Sequence, residues 1–133
     1  MLRNVRQVFH PTTIEEAVTM AQTNQHACYL GGGAWVVAQG DQQLEAVVDL
    51  QGLGLGKIES DIEGVRIGAL VTLQQLIDDS LGSNPAAGAL AGGLLATAAA
   101  YTQSRTLREQ GTVGGTLIVA GSAAPLTTAL LVL

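Results

Sequence analysis

Arg108-Glu109-Gln110-Gly111-Thr112-Val113-Gly114-Gly115-Thr116-Leu117 decides how this chain is read. A polar approach gives way to a glycine-rich turn and then to an apolar run. Glycine lets a backbone N–H come close to a bound anion, because no Cβ intervenes and positive φ is permitted. Successive N–H groups in such a turn form a concave nest for phosphate oxygens. A second stretch of the same kind lies upstream, Tyr29-Leu30-Gly31-Gly32-Gly33-Ala34-Trp35-Val36-Val37. Two nests in one small domain suit a ligand with two phosphates, as in a dinucleotide. Two tight turns beside packed strands account for the same residues. Neither stretch is G-x-G-x-x-G, and neither is a P-loop, because no Lys-Ser or Lys-Thr follows.

The 133 residues allow one domain, or two small lobes sharing a core. That length suffices to bury a core. A net charge of −5 argues against a nucleic-acid partner. Residues 1–80 hold ten of the eleven acids, and beyond them only Arg105, Arg108 and Glu109 are charged. The single Cys28 rules out an intrachain disulfide and supplies no iron–sulfur or zinc ligand set. His10 and His26 stand far apart without a third ligand in a recognisable spacing, so no metal site is expected. No basic segment precedes an apolar one at the N-terminus, so no secretory signal is visible and the cytoplasm is the default. Residues 81–104 and 111–133 are uncharged and are long enough to be drawn as a membrane hairpin with Arg105 and Arg108 in its loop. Their Gly, Ala, Ser and Thr content and the internal Pro125 argue against it, and no membrane is expected.

Outward from the two glycine stretches, the pattern alternates strands and helices. Val5–Phe9 alternates as a strand and His10-Pro11 breaks it. Thr12 or Thr13 caps a helix whose Glu15 and Glu16 stand in capping-box spacing, with Ile14, Ala17, Val18 and Ala21 on one face. Ala27–Leu30 reads as a buried strand, Ala34–Gln39 as a short helix and Ala46–Leu50 as a further strand, a βαβ-type lobe. The alternating glycines Gly52, Gly54 and Gly56 read as a connector rather than a third phosphate site. Ile58–Asp61 and Val65–Ala69 form a hairpin turning near Glu63-Gly64. Thr72 caps a helix from Leu73 to about Asp79. Pro85 opens a second helix running to about Tyr101. Thr112–Ile118 reads as loop and strand, and Pro125 opens a last helix reaching Leu133. The fold class is α/β (α+β), with residues 1–55 as an N-terminal lobe and residues 56–133 as the first part of a second.

Taken in order, four pieces resemble one family. They are Tyr29-Leu30-Gly31-Gly32, Val48-Asp49-Leu50-Gln51-Gly52-Leu53, Arg66-Ile67-Gly68-Ala69-Leu70-Val71-Thr72 and Arg108 through Gly115. This series is similar to that of the FAD-binding subunit or domain of the molybdenum hydroxylases, the family of xanthine dehydrogenase and of the medium subunit of carbon monoxide dehydrogenase. The family runs Y-L-A-G-G-T-D, V-D-L-x-x-L, R-I-G-A-x-x-T-x-x-x-L and R-x-x-G-T-I-G-G-N. The resemblance covers nearly the whole chain from about Ile14. It implies a two-lobed fold with FAD between the lobes. The two glycine stretches would hold its pyrophosphate, here Leu30, Gly31, Gly32, Gly33, Ala34, Trp35 and Val36, and Thr112, Val113, Gly114, Gly115 and Thr116. The partners implied are a molybdenum-cofactor subunit and a two-iron (2Fe-2S) subunit, with electrons passing from iron–sulfur clusters through flavin to an acceptor. No residue of this chain is expected to be catalytic, since the chemistry belongs to the flavin. Relatives continue past the equivalent of Leu133, so the resemblance implies a chain incomplete at its C-terminus, with an apolar face that favours self-association when isolated.

The chain departs from the family pattern where side chains would touch the nucleotide. Ala34-Trp35 stands for Thr-Asp, Thr116 for Asn, Pro125 for an Asp and Val119 for a polar residue. Each lost hydrogen bond costs about 0.5–1.5 kcal/mol. Weak FAD binding follows as an expectation, and with it a rival reading: a scaffold module that keeps the fold but not the flavin. Trp35 either stacks on a ring of the cofactor or fills core or the space of the cofactor itself. Asp49 is expected to accept backbone N–H bonds at a turn, and Arg108 to orient the second stretch or meet a partner. Ser104 and Ser122 have no histidine in a hydrolase pattern.

Overall fold

The computed structural model describes residues 2–82 and 92–133. A three-stranded parallel sheet forms first, from β1 (Gln7–Phe9), β2 (Ala27–Leu30) and β3 (Ala46–Asp49) in the order β1-β3-β2. The most apolar strand takes the centre: Ala46, Val47 and Val48 are buried, as expected of a parallel strand covered on both faces. Helix α1 (Ile14–Thr23) packs on β2 and β3. Its cap is the expected one with a shift of one residue. Thr13 Oγ1 accepts from the Glu16 N–H, but Glu16 Oε2 accepts from the N–H and hydroxyl of Thr12 rather than of Thr13. Those Thr12 bonds hold the Glu16 carboxyl below its ordinary pKa. A short helix, α2 (Ala34–Gln39), joins β2 to β3.

From residue 58 onward the strands make a separate sheet, the hairpin of β4 (Ile58–Asp61) and β5 (Gly64–Ile67). Asp61 Oδ1 accepts from the N–H groups of Glu63 and Gly64 and closes its two-residue turn. Helices α3 (Leu73–Leu81), α4 (Leu94–Ala100), α5 (Arg105–Gln110), α6 (Val113–Ala120) and α7 (Pro125–Leu131) follow. Leu73 and Leu76 of α3, Leu95, Ala98 and Ala99 of α4, Val113 of α6, and Leu126 and Ala129 of α7 bury one another around Val71. Ile58, Val65 and Ile67 of the hairpin pack against that cluster.

Three expectations change. The helix expected from Pro85 to Tyr101 falls at residues 85–91 outside the described residues. What is described starts only at Leu94, because Gly92 and Gly93 sit at φ 67° and 87°, which a right-handed helix does not contain. Arg108–Gln110, read as the polar approach to the second glycine turn, belongs to a helix, α5, capped by Ser104, whose Oγ accepts from the Leu107 N–H. Thr112–Ile118, read as loop and strand, is the cap and body of α6. The β-branched run beyond Gly115 carries strand propensity, but packing against α7 and the Thr112 cap override it.

Among the described residues no single helix is long and apolar enough to cross a membrane. The consecutive apolar segments Val113–Ala123 and Pro125–Leu131 are bent by 95° to each other. Exposed apolar side chains gather on α6, at Leu117, Ile118 and Val119, and at Leu131, Val132 and Leu133. Within α4 and α7, Leu95, Ala98, Ala99, Leu126 and Ala129 turn inward.

Candidate functional site

A cleft of about 440 Å³ opens between the end of β2, the turn after β3 and the starts of α3 and α6. Its walls are Gly31, Gly32, Gln51, Gly56, Leu70, Thr72, Gln75, Glu109, Gln110 and Thr112. The two glycine stretches therefore meet at one place. Their closest approach is Gly32 against the main chain of Gln110. A Cβ on Gly32 would lie 1.6 Å from the Gln110 carbonyl oxygen, so only glycine fits. A Cβ on Gly31 would lie 3.2 Å from Leu70 and 3.4 Å from the Thr112 hydroxyl.

The starts of α3 and α6 are tied together beside this cleft. Thr72 and Thr112 form an antiparallel bridge, with the Leu73 N–H donating to Gly111 O at 2.9 Å and the Val113 N–H to Val71 O at 2.8 Å. Each threonine also caps its helix. Thr72 Oγ1 accepts from the Gln75 N–H while Gln75 Oε1 accepts from the Thr72 N–H, a complete capping box. Thr112, buried at 5% exposure, accepts from the Gly115 N–H at 3.1 Å. The positive ends of two helix dipoles therefore border the cleft and favour negative charge there. No lysine or arginine lines it; Glu109 does, with its Oε1 held by Arg105 Nε at 2.9 Å.

The two glycine stretches differ in what their N–H groups do. In the second, every N–H from Val113 to Thr116 is spent inside the chain. Val113 donates to Val71 O, Gly114 to Ala69 O, Gly115 to Thr112 Oγ1 and Thr116 to Thr112 O. Gly114 is a packing glycine, since a Cβ there would lie 3.0 Å from both Cβ and O of Ala69. In the first, the N–H groups of Gly32, Gly33, Ala34 and Trp35 have no acceptor among the described residues. Gly33 caps α2 in the left-handed region at φ 80° and has no side chain with which to cap it.

Of the residues assigned from sequence, Gly31, Gly32 and Thr112 line the cleft. Leu30, Gly33, Ala34, Trp35, Val36, Val113, Gly114, Gly115 and Thr116 do not. Trp35 is 48% exposed on α2 and so is neither core nor a plug in the cleft. Asp49 meets its expectation: its Oδ1 accepts from the Gln51 N–H at 3.0 Å, and His10 Nδ1 lies 3.5 Å from its Oδ2. Arg108 is a clamp. It donates from Nε to Gln74 Oε1 and from one terminal nitrogen to the carbonyls of Thr102 and Gln103, which fastens α5 to α3. Cys28 is partly buried, and burial, with the Asp41 charge second, pushes its thiol above the ordinary range, away from reactivity. Among the described residues no cluster of three His, Cys, Asp or Glu side chains is placed to hold a metal. Sequence reading missed Gln51, Gly56, Leu70, Gln75, Glu109 and Gln110. Only Gln75 carried a signal, as the fourth residue of a Thr-x-x-Gln capping box.

Comparison with known proteins fits this architecture. The family model described as the FAD binding domain in molybdopterin dehydrogenase matches residues 3–133. Among solved structures, the chain is similar to a carbon monoxide dehydrogenase from Hydrogenophaga pseudoflava that lacks the Mo-pyranopterin moiety, at 28% identity and a TM-score of 0.74 over 88% of this chain. It is similar in fold to the reconstituted CO dehydrogenase from Oligotropha carboxidovorans, at 24% identity and a TM-score of 0.72 over 87% of this chain. It is likewise similar in fold to quinoline 2-oxidoreductase from Pseudomonas putida 86, at 20% identity and a TM-score of 0.72 over 88%. In each case it spans 40% of the other chain's length. No curated protein sequence matches it. With nearly every residue inside the matched span and the same fold in these structures, the chain belongs to the family of FAD-binding domains of molybdopterin dehydrogenases.

Proposed function

We propose that this chain is the FAD-binding, electron-transferring part of a molybdenum-containing hydroxylase or dehydrogenase, with residues 1–55 and 56–133 as two lobes facing the cleft. The observation that carries the reading is the first glycine loop. Its N–H groups at Gly32–Trp35 have no acceptor among the described residues, and it adjoins a cleft bordered by the capped N-termini of α3 and α6. These residues fit a pyrophosphate: unpaired backbone donors and helix dipoles satisfy an anion without a cation. Gly31–Trp35 would hold the phosphates by backbone N–H groups. The amides of Gln75 and Gln110 would offer further polar contacts along the wall. Thr112 and the glycines after it would hold α6 in place rather than touch phosphate. When bound, the flavin supplies the hydride and one-electron chemistry, and this chain supplies binding and orientation. The partners in this reading are a molybdenum-cofactor subunit and a 2Fe-2S subunit.

Titration of FAD into the purified chain, followed by flavin fluorescence and calorimetry, tests it. Saturable binding is expected, weakened roughly five- to thirtyfold by Gly33→Ala, which forces a Cβ into a left-handed residue at about 1–2 kcal/mol. A folded chain that binds no FAD at millimolar concentration would overturn the proposal in favour of a scaffold module of the same fold.

A further inference from the structure

We propose that Gln51 is a positioning residue for the first glycine loop, and that Asp49 sets Gln51. This rests on the FAD reading above. Gln51 Nε2 donates to the Gly31 carbonyl at 3.0 Å, across 20 residues of sequence. That carbonyl belongs to the same planar trans peptide as the Gly32 N–H, so the two point in opposite directions and turn together. Fixing the Gly31 oxygen therefore fixes the direction of the Gly32 N–H, one of the donors without an acceptor among the described residues. Three successive glycines resist such fixing poorly on their own, because each has a wide range of backbone conformations.

The arm that reaches Gly31 is itself anchored. The Gln51 N–H donates to Asp49 Oδ1 at 3.0 Å, and the Leu50 N–H donates to Leu30 O at 3.0 Å. The amide starts from a turn pinned to β2 and β3 and returns to the residue just after β2. The partner also settles the orientation of the amide, since only the nitrogen can donate to a carbonyl. The relay from Asp49 through Gln51 to Gly31 thus links the geometry of a strand end to the aim of a backbone donor at the cleft.

The test uses the full chain with FAD as probe, together with amide hydrogen exchange at Gly32–Ala34. Gln51→Met keeps the length of the arm and removes the donor. It should weaken FAD roughly three- to tenfold and speed exchange at Gly32, with melting temperature unchanged. Asp49→Ala should do the same in part, and Asp49→Asn, which retains an acceptor oxygen, should restore both readouts. Asp49→Ala combined with Gln51→Met should be no worse than Gln51→Met alone, because Asp49 acts through Gln51. Unchanged affinity and unchanged exchange in Gln51→Met would overturn the proposal. So would an Asp49→Asn chain as impaired as Asp49→Ala. If the unmodified chain binds no FAD, the functional reading fails, and the Gly32 exchange rate still decides whether Gln51 holds the loop.

Discussion

The two glycine stretches look alike in sequence and do opposite things. Gly31–Gly33 enters a six-residue helix without a side-chain cap, and its N–H groups from Gly32 on have no acceptor among the described residues. Gly114-Gly115 stands inside the first turn of α6, where a threonine cap and two carbonyls of the β5–α3 connection take every N–H from Val113 to Thr116. The first has room to bind, and the second builds the wall that the first faces. Glycine is required in both for want of space rather than for phosphate: Gly32 because of Gln110, Gly114 because of Ala69. A glycine-rich motif thus reports close approach, and whether the neighbour is a ligand or the chain itself depends on where the donors end.

Substitution at Gly32 should have the largest effect. A Cβ at 1.6 Å from a main-chain oxygen forces the Gln110 segment away, so Gly32→Ala should lose about 3 kcal/mol, seen as a fall in melting temperature of roughly 10 °C. It should also abolish FAD binding, since it parts the two walls; a stable, FAD-binding Gly32→Ala chain would break the comparison. Thr112→Val comes next. It removes the acceptor for the Gly115 N–H at a buried site and should lose about 1–2 kcal/mol in a chemical denaturation curve, while Thr112→Ser should retain the cap. Gly114→Ala sets about 1 kcal/mol of helix propensity gained against contact at 3.0 Å with Ala69, and should end about 1 kcal/mol less stable with FAD affinity unaltered. A selective loss of affinity there would mean that the second stretch binds phosphate after all. Gly115→Ala should change least, within about 0.5 kcal/mol. Its only near neighbour is the Thr112 hydroxyl, at 2.9 Å from the added Cβ, and helix propensity offsets the shift.

Local signals were legible where the physics is local. Thr13 before Ile14 and Thr72 before Leu73 announced helix starts because a cap is a bond between residues three apart. The Ala46–Asp49 run announced a strand, but its place at the buried centre is a tertiary outcome: the strand read as buried, Ala27–Leu30, takes an edge with Tyr29 exposed. The site was half legible. Gly31, Gly32 and Thr112, singled out in the sequence, line the cleft, whereas the presence there of Gln51, Glu109 and Gln110 was not legible, because it depends on contacts 20 to 80 residues away. Trp35, a stacking or space-filling residue by sequence, lies half exposed outside the cleft. The α6 segment was misread because strand-forming side chains after a glycine pair give the same pattern in a loop–strand as in a packed helix.

The sequence by itself determined the order of strands and helices as far as α3, the capped starts of α1 and α3, the hairpin of β4 and β5, and, through four motifs in series, the family. Tertiary structure alone decided how closely the two glycine stretches approach, that Arg108 clamps α5 to α3, and that among the described residues only the first stretch has N–H groups without an acceptor. The reason is the range of the interactions. Caps, turns and periodicity are settled within a few residues, but an N–H group's fate is settled by whichever carbonyl packing brings within 3 Å, and no short stretch of sequence contains that carbonyl.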